Sequence, residues 1–402
     1  MMGVETASPI AVEREATTSV APPDIRTLQI GMRWFGSGSG GLDRVFYDLA
    51  NALPAQGIAV QGLVVQPADV AVETGGRIQA VADDGASLLN RLLGVRRAVR
   101  HYLSNGDVDL VAGHFALYLG PVLGILGDTP LVVHFHGPWA RESDFDGQRR
   151  PTVLAKKAIE RFVYRRADRF IVLSNAFADL LMRDYGVAHG RIRVVPGSVD
   201  LGRFTDRFSK DAARVALRWP AERPILLSIR RLIARVGLDK LVEAMKTVKE
   251  AVPDVLLCIA GRGPLEGALR TQIVEAGLEG NVRLLGFLPD EELPVAYRAA
   301  DINVVPTAAL EGFGLTAAEA LAAGTPSMVT PVGGLPEVVS GLSPDLVFAS
   351  CRTDDLAAGL IAALRGDIAL PSSARCRAYA ETRFATSLAA QRTAAVYREL
   401  TA

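Results

Sequence analysis

Two glutamates, Glu311 and Glu319, stand in an otherwise small and apolar stretch, TAALEGFGLTAAEALAAGTP at 307–326. An acid in such surroundings is costly unless something pairs with it. Between them, Gly312, Phe313 and Gly314 read as a turn that opens a helix carrying Glu319. A helix N-terminus holds about half a positive charge and suits a phosphate. Carboxylates only accept hydrogen bonds and suit sugar hydroxyls. Phosphate-binding amides flanked by two acids describe a ligand with a diphosphate in its middle and hydroxylated rings at both ends. The plainer alternative, Glu319 as a cap and Glu311 on the surface, leaves a buried acid without a partner.

Other residues could serve the same ligand. Gly36, Gly38 and Gly41 satisfy G-x-G-x-x-G just ahead of a helical pattern, where backbone amides can approach a phosphate. A dinucleotide site would also want an acid at the tip of the second strand, and that strand ends in Gln66. LVVHFHGPWARE puts Val132, His134 and His136 on one strand face, with His136 at the carboxyl end and aimed at a cleft. His114 ends another strand; His134 is assigned to the core. Arg230, Arg231 and Arg235 in ILLSIRRLIARVG could clamp a diphosphate. Strand alternation allows at most one of the first two to face the cleft. The Asp-x-Asp pairs Asp107/Asp109 and Asp144/Asp146 lack further ligands for a metal.

These residues need elements to hold them. RTLQIGM, IAVQGLVV, DLVAG, PLVVHFH, RFIVLS and RIRVV are predicted strands, apolar on both faces, with helices over 41–56, 86–103, 151–166 and 175–185. After a connecting segment near 196–224 the pattern restarts with PILLSI, VLLCIAG, VRLLGF, INVVP, PSMVT and DLVFA. Such alternation predicts parallel sheets covered on both sides. The expected fold is α/β, two doubly wound Rossmann-like domains facing across a cleft, with ligands beyond the strands' carboxyl ends. The expected division is a disordered leader at 1–24, a first domain at 25–200, a second domain at 201–385 and a C-terminal helix at 386–402.

Composition narrows the partners. Lys plus Arg equals Asp plus Glu at 44 each, which gives no sign of nucleic-acid binding. Three cysteines without metal-like spacing fit reduced thiols in the cytoplasm. The arginine-rich stretches 88–103 and 149–166 could rest on the inner face of an anionic membrane, or be solvated helix faces.

Taken together, the motifs resemble the retaining glycosyltransferases of family four, which have the GT-B fold. GRGPLEGALR, VRLLGFLPDEELPVAYRAADINVVPT, EGFGLTAAEALAAGTPSMVT and VGGLPEVV follow the family pattern in order, and Glu311 to Glu319 matches its E-x7-E signature. GGLDRV matches its N-terminal diglycine loop and VVPGSVDLGRF its inter-domain motif.

The resemblance implies transfer of a sugar from a nucleotide diphosphate sugar, a UDP-sugar favoured, to a hydroxyl of a small molecule, glycan or lipid-linked acceptor. No metal and no further cofactor is implied. The first domain would be the acceptor side, the second would bind the nucleotide sugar, and FATSLAAQRTAAVYREL resembles the family helix that crosses back to the first domain. Gly40 and Gly41 would contact the donor phosphates, Arg231 would hold the diphosphate, and Glu311 would bind sugar hydroxyls. Gly312, Phe313, Gly314, Leu315 and Thr316 would place phosphate and sugar, and Glu319 would bind the ribose. Gly263 and Leu288 would line the donor site, and His136 would sit at the reacting centre. The family's usual lysine before the glycine of RLxxxKG is Val236 here, so Arg235 is the expected second cation. The rival readings are an NAD-dependent oxidoreductase using GSGSGG and a non-catalytic nucleotide-sugar-binding protein.

Overall fold

Strands that are apolar on both faces can only be accommodated between two helical layers, and both sheets are built this way. The computed structural model describes residues 24–35, 40–205 and 208–401. The N-terminal leader, Gly36 and Gly38 lie outside them. The first sheet contains β1 (Ile25–Ile30), β2 (Ile58–Val65), β3 (Ile78–Ala82), β4 (Leu110–Gly113), β5 (Leu131–Phe135), β6 (Arg169–Val172) and β7 (Ile192–Val194). Its order is β3-β2-β1-β4-β5-β6-β7, all parallel. The second contains β8 (Ile225–Ile229), β9 (Leu256–Ala260), β10 (Val282–Gly286), β11 (Ile302–Val305) and β12 (Ser327–Val329), in the parallel order β10-β9-β8-β11-β12.

Each order reverses once, between β1 and β4 and between β8 and β11. In open parallel sheets the crevice at that reversal is where ligands bind. The loops after β1, β4, β8 and β11 therefore carry the candidate site. They hold the glycine loop, His114, Arg230 and Glu311 respectively.

Two expectations failed at sheet margins. DLVFA is no strand: Pro344–Leu346 is a 3-10 turn and Val347 meets Val329 through a single bridge. Conversely β3, IQAVA, is an edge strand with an exposed Gln79 and two alanines, which leaves it a weaker strand signal than the equally exposed edge strand β10, VRLLG. The apolar run FALYLGPVLGILG is one turn of helix, Ala116–Leu119, followed by a 3-10 segment from Gly120 that accommodates Pro121.

The C-terminal helix Thr386–Thr401 packs its Ala389, Ala390, Ala394, Val396 and Tyr397 into the first domain, against Val45, Leu49, Ala112 and Val132. Its exposed face adds Arg398 to Asp24 and Glu399 to Arg193. The helix Ser373–Phe384 before it packs against Leu315–Ala322 of the second domain, so this tail spans both.

Candidate active site

The second-domain half of the site forms where β8 and β11 end side by side. Arg230 follows Ile229, and its guanidinium pairs with Glu311, with further bonds to Thr307 Oγ1 at 3.2 Å and Thr316 Oγ1 at 3.4 Å. Thr307 Oγ1 also donates to Glu311 Oε2 at 3.1 Å, which orients the carboxylate from two sides. Arg231, expected to hold the diphosphate, is exposed; across the cleft burial raises the Glu142 pKa, and the charges of Arg235 and Arg231 oppose that rise. The alternation rule holds, since only one of the pair turns inward, and that one is Arg230.

Arg235 is likewise not a free cation. Its Nη1 donates to the Leu310 carbonyl at 2.9 Å and its Nη2 lies 3.6 Å from Glu142 of the first domain. Its own carbonyl accepts from Ala308 and Ala309. Leu310 has φ 56, a left-handed backbone unusual for a branched side chain, and Arg235 holds that turn from both ends. Arg235→Ala is therefore expected to raise donor KM and lower kcat through a loosened Glu311 loop. Unchanged steady-state kinetics would assign Arg235 to the surface. Val236 is buried among Leu232 and Leu238, so the side chain at this position does not reach the cleft.

Two helices aim their N-termini at the same place. The first-domain helix Gly41–Ala52 starts after Gly40, and the second-domain helix Leu315–Ala322 after Gly314. A Cβ on Gly41 would be 3.5 Å from Leu315 Cδ1, so the two positive helix ends meet across the cleft. Gly314 has φ 95 and its backbone presses on Leu335, leaving no room for a side chain. Gly312 is just as confined, against Phe177 of the first domain. Phe313 is a core residue: it packs on Gly197 and, ring to ring at 5.4 Å, on Phe384, so only its backbone is available to a ligand. Gly263 presses on the Leu232 carbonyl, which accounts for that glycine by packing alone. Leu288 is half-buried beyond β10, beside an exposed Phe287 whose ring faces Arg262 at 5.7 Å.

Glu319 is buried one turn further along. Tyr297 donates its hydroxyl to Oε2 at 3.0 Å. Burial raises the carboxyl's pKa, opposed by Arg44 and Arg203. Arg44, three residues after Gly41, crosses the cleft to pair with Asp290, which Arg203 also holds. Burial likewise pushes nearby Asp48 up to about 7.

In the first domain, His114, His134 and His136 stack at the ends of β4 and β5, with ring centroids 4.3 and 5.3 Å from His114 and planes within 18°. His114 Nδ1 lies 3.0 Å from His136 Nε2, and His114 Nε2 lies 3.2 Å from Gln29 Oε1. His134 Nε2 meets the Tyr397 hydroxyl at 2.8 Å. Burial holds all three imidazoles neutral, His134 near 3, His136 near 4 and His114 well below the usual value. Sequence reasoning missed Arg44, Glu142, Thr307, Tyr297, Gln29 and Tyr397 as site residues. Arg44 inside GGLDRV, Glu142 at the end of LVVHFHGPWARE, and Tyr297 and Thr307 inside VRLLGFLPDEELPVAYRAADINVVPT lay in recognisable motifs; Gln29 carried no local signal, and Tyr397 none beyond its place in the crossing helix.

Residues 39–203 match the model of Glycosyltransferase Family 4 and residues 209–383 that of Glycosyl transferases group 1. The D-inositol 3-phosphate glycosyltransferase of Xylanimonas cellulosilytica is 32% identical over 325 residues, 75% of this chain and 78% of the relative. The chain belongs to glycosyltransferase family 4. Mannosylfructose-phosphate synthase of Agrobacterium fabrum is 32% identical to this family 4 chain over 189 residues, 45% of the chain and only 41% of the relative's own length. The structure of Anabaena HepE in complex with UDP and glucose superposes with a TM-score of 0.74 at 19% identity, covering 93% of the family 4 chain and all of HepE, a shared GT-B architecture.

Proposed function

We propose that this chain transfers a sugar from a nucleoside diphosphate sugar to an acceptor hydroxyl, with retention at the anomeric carbon. The observation that carries the reading is the meeting of two helix N-termini at Gly41 and Leu315, with Arg230 beside them and Glu311 and Glu319 on either side. Oriented amides and a guanidinium match a diphosphate. The paired Glu311 presents its second oxygen to sugar hydroxyls, and Glu319 accepts from the ribose. As the bond to the anomeric carbon breaks, negative charge grows on the leaving phosphate. Arg230 and the helix-end amides stabilise it from fixed positions, with Arg231 at the cleft mouth.

Neither acid is placed as a nucleophile for double displacement: Glu311 is paired with Arg230 and Glu319 accepts from Tyr297. Same-face attack fits better, with the leaving phosphate oxygen taking the acceptor's proton. His136 orients a hydroxyl near the reacting carbon. The free cysteines fit a reducing, cytoplasmic setting. Among the described residues, no helix is long and apolar enough to cross a membrane.

An NAD-dependent oxidoreductase is disfavoured at the tip of β2. There Gln66 Oε1 accepts from the Trp34 amide at 2.6 Å, where a ribose-binding acid would be needed. Purely passive binding leaves unexplained the charge gathered at the expected leaving group.

The test is a thermal-shift panel of UDP, GDP, ADP and dTDP. A nucleotide at 100 times its Kd stabilises by about 2.7 kcal/mol, and one member, UDP favoured, is expected to do so. No shift with any nucleoside diphosphate overturns the reading.

A further inference from the structure

Proton counting fixes the histidine stack. Thr27 has one hydroxyl proton, and its Oγ1 donates to the Ala59 carbonyl at 2.9 Å. Toward Gln29, 3.1 Å away, Thr27 can therefore only accept. Gln29 must turn its amide nitrogen to Thr27, and the second N–H of that nitrogen reaches the Tyr397 hydroxyl at 3.1 Å. Gln29 Oε1 is left facing His114 Nε2, so that nitrogen carries the proton. A neutral imidazole has only one, so His114 Nδ1 is a lone pair and His136 Nε2 must be the donor to it. His136, also neutral, is then bare at Nδ1, and Nδ1 has no partner among the described residues. Tyr397, having accepted from Gln29, gives its proton to His134 Nε2 at 2.8 Å in preference to Gln29 Oε1 at 3.5 Å.

The strand pleat makes this chain of bonds possible. Thr27 and Gln29 on β1, His114 after β4, and His134 and His136 on and after β5 share the sheet face that the C-terminal helix covers. Packing alone would need no polar atoms on that face. This one carries a run of donors and acceptors that ends at a half-buried histidine on the crevice.

We propose that Thr27, Gln29 and His114 are positioning residues that lock His136 as its Nε2–H tautomer and present Nδ1 as an acceptor to a substrate hydroxyl, with Tyr397 of the C-terminal helix clamping the relay. The tautomer stands on the geometry together with the burial that keeps both imidazoles neutral. The role of Nδ1 toward a hydroxyl rests on the glycosyl-transfer reading.

The test is long-range proton–nitrogen NMR of the imidazoles in the full-length protein, which has only five histidines. In the wild type at neutral pH, His136 is expected as neutral Nε2–H. His114→Phe keeps the ring stack and its edge contact with Phe46, centroids 5.0 Å apart, but deletes the acceptor. It is expected to convert the His136 signal to a mixture of tautomers and to lower kcat roughly tenfold, with donor KM within about twofold. His114→Gln, which again offers one acceptor and one N–H, is expected to restore the Nε2–H signal and most of the lost rate.

An Nδ1–H or cationic His136 in the wild type overturns the proposal, as does an unchanged tautomer in His114→Phe. A merely structural role would lower the melting temperature and leave the tautomer alone. If the wild type shows the expected tautomer but binds no nucleotide, the relay stands and the glycosyl-transfer reading falls.

Discussion

Arg230→Gln is expected to lower kcat/KM about a hundredfold, the range seen when one preorganised electrostatic donor is removed. Two effects add. The guanidinium is the ion-pair partner of a partly buried Glu311, and without it that carboxylate loses a charge-assisted bond worth about 1.5–3 kcal/mol. The same group lies beside Thr316, in the first turn of the helix where a leaving diphosphate would gather charge. The readout that separates this from loss of folding is the ratio of UDP to UMP affinity. UDP binding should fall while UMP binding holds, because on the proposed reading only the outer phosphate would meet Arg230. Arg230→Lys keeps the charge but not the fork that reaches Glu311, Thr307 and Thr316 together, so only part of the rate should return. An unchanged UDP/UMP ratio with wild-type turnover would remove Arg230 from the site.

Glu319→Gln is expected to move binding and stability in opposite directions. A charge-assisted acceptor is worth about 1.5–3 kcal/mol, so nucleoside diphosphate affinity should fall roughly tenfold to a hundredfold. Glutamine still accepts from the Tyr297 hydroxyl, so the local geometry persists. Burial raises the Glu319 pKa above that of the unfolded chain. The native state therefore binds more protons between those two values, and Glu319's contribution to stability declines as pH rises through that window. Above it, replacing the buried charge with an amide should leave the melting temperature equal or higher.

Binding has the opposite pH sign. On the proposed assignment the ribose bonds to the ionised carboxylate, so wild-type affinity should weaken as pH falls into the raised titration range, and the glutamine variant should lack that limb. Calorimetric titration across pH, paired with thermal melts, checks both. Undiminished affinity in Glu319→Gln would sink the ribose assignment.

The same pairing logic explains which features could be read before folding. Eleven of the twelve strands announce themselves as short apolar runs, because a strand buried on both faces has no polar positions to hide the pattern. β3 escaped because its five residues, IQAVA, include two alanines and a glutamine, a weak strand signal, and DLVFA misled because an apolar run also suits a tucked 3-10 turn. Glu311 and Glu319 stood out for a related reason: acids among alanines and glycines need a partner, and the sequence shows the need without naming the partner.

The partners came from elsewhere in the chain. Arg230 meets Glu311 only because β8 and β11 are neighbours, although they lie far apart in sequence. The choice of Arg230 over Arg231 as the inward member of the pair was made by which of them faces Glu311 on the loop after the neighbouring strand. Arg44 and Asp290, like Glu142 and Arg235, meet across two domains. Gln29, His114 and Tyr397 join because a sheet face and the last helix close on one another. Local periodicity is set by backbone geometry and survives in the sequence. Charge pairing and tautomer are set by distances between separate elements, and exist only once the sheets have assembled and the two domains have met.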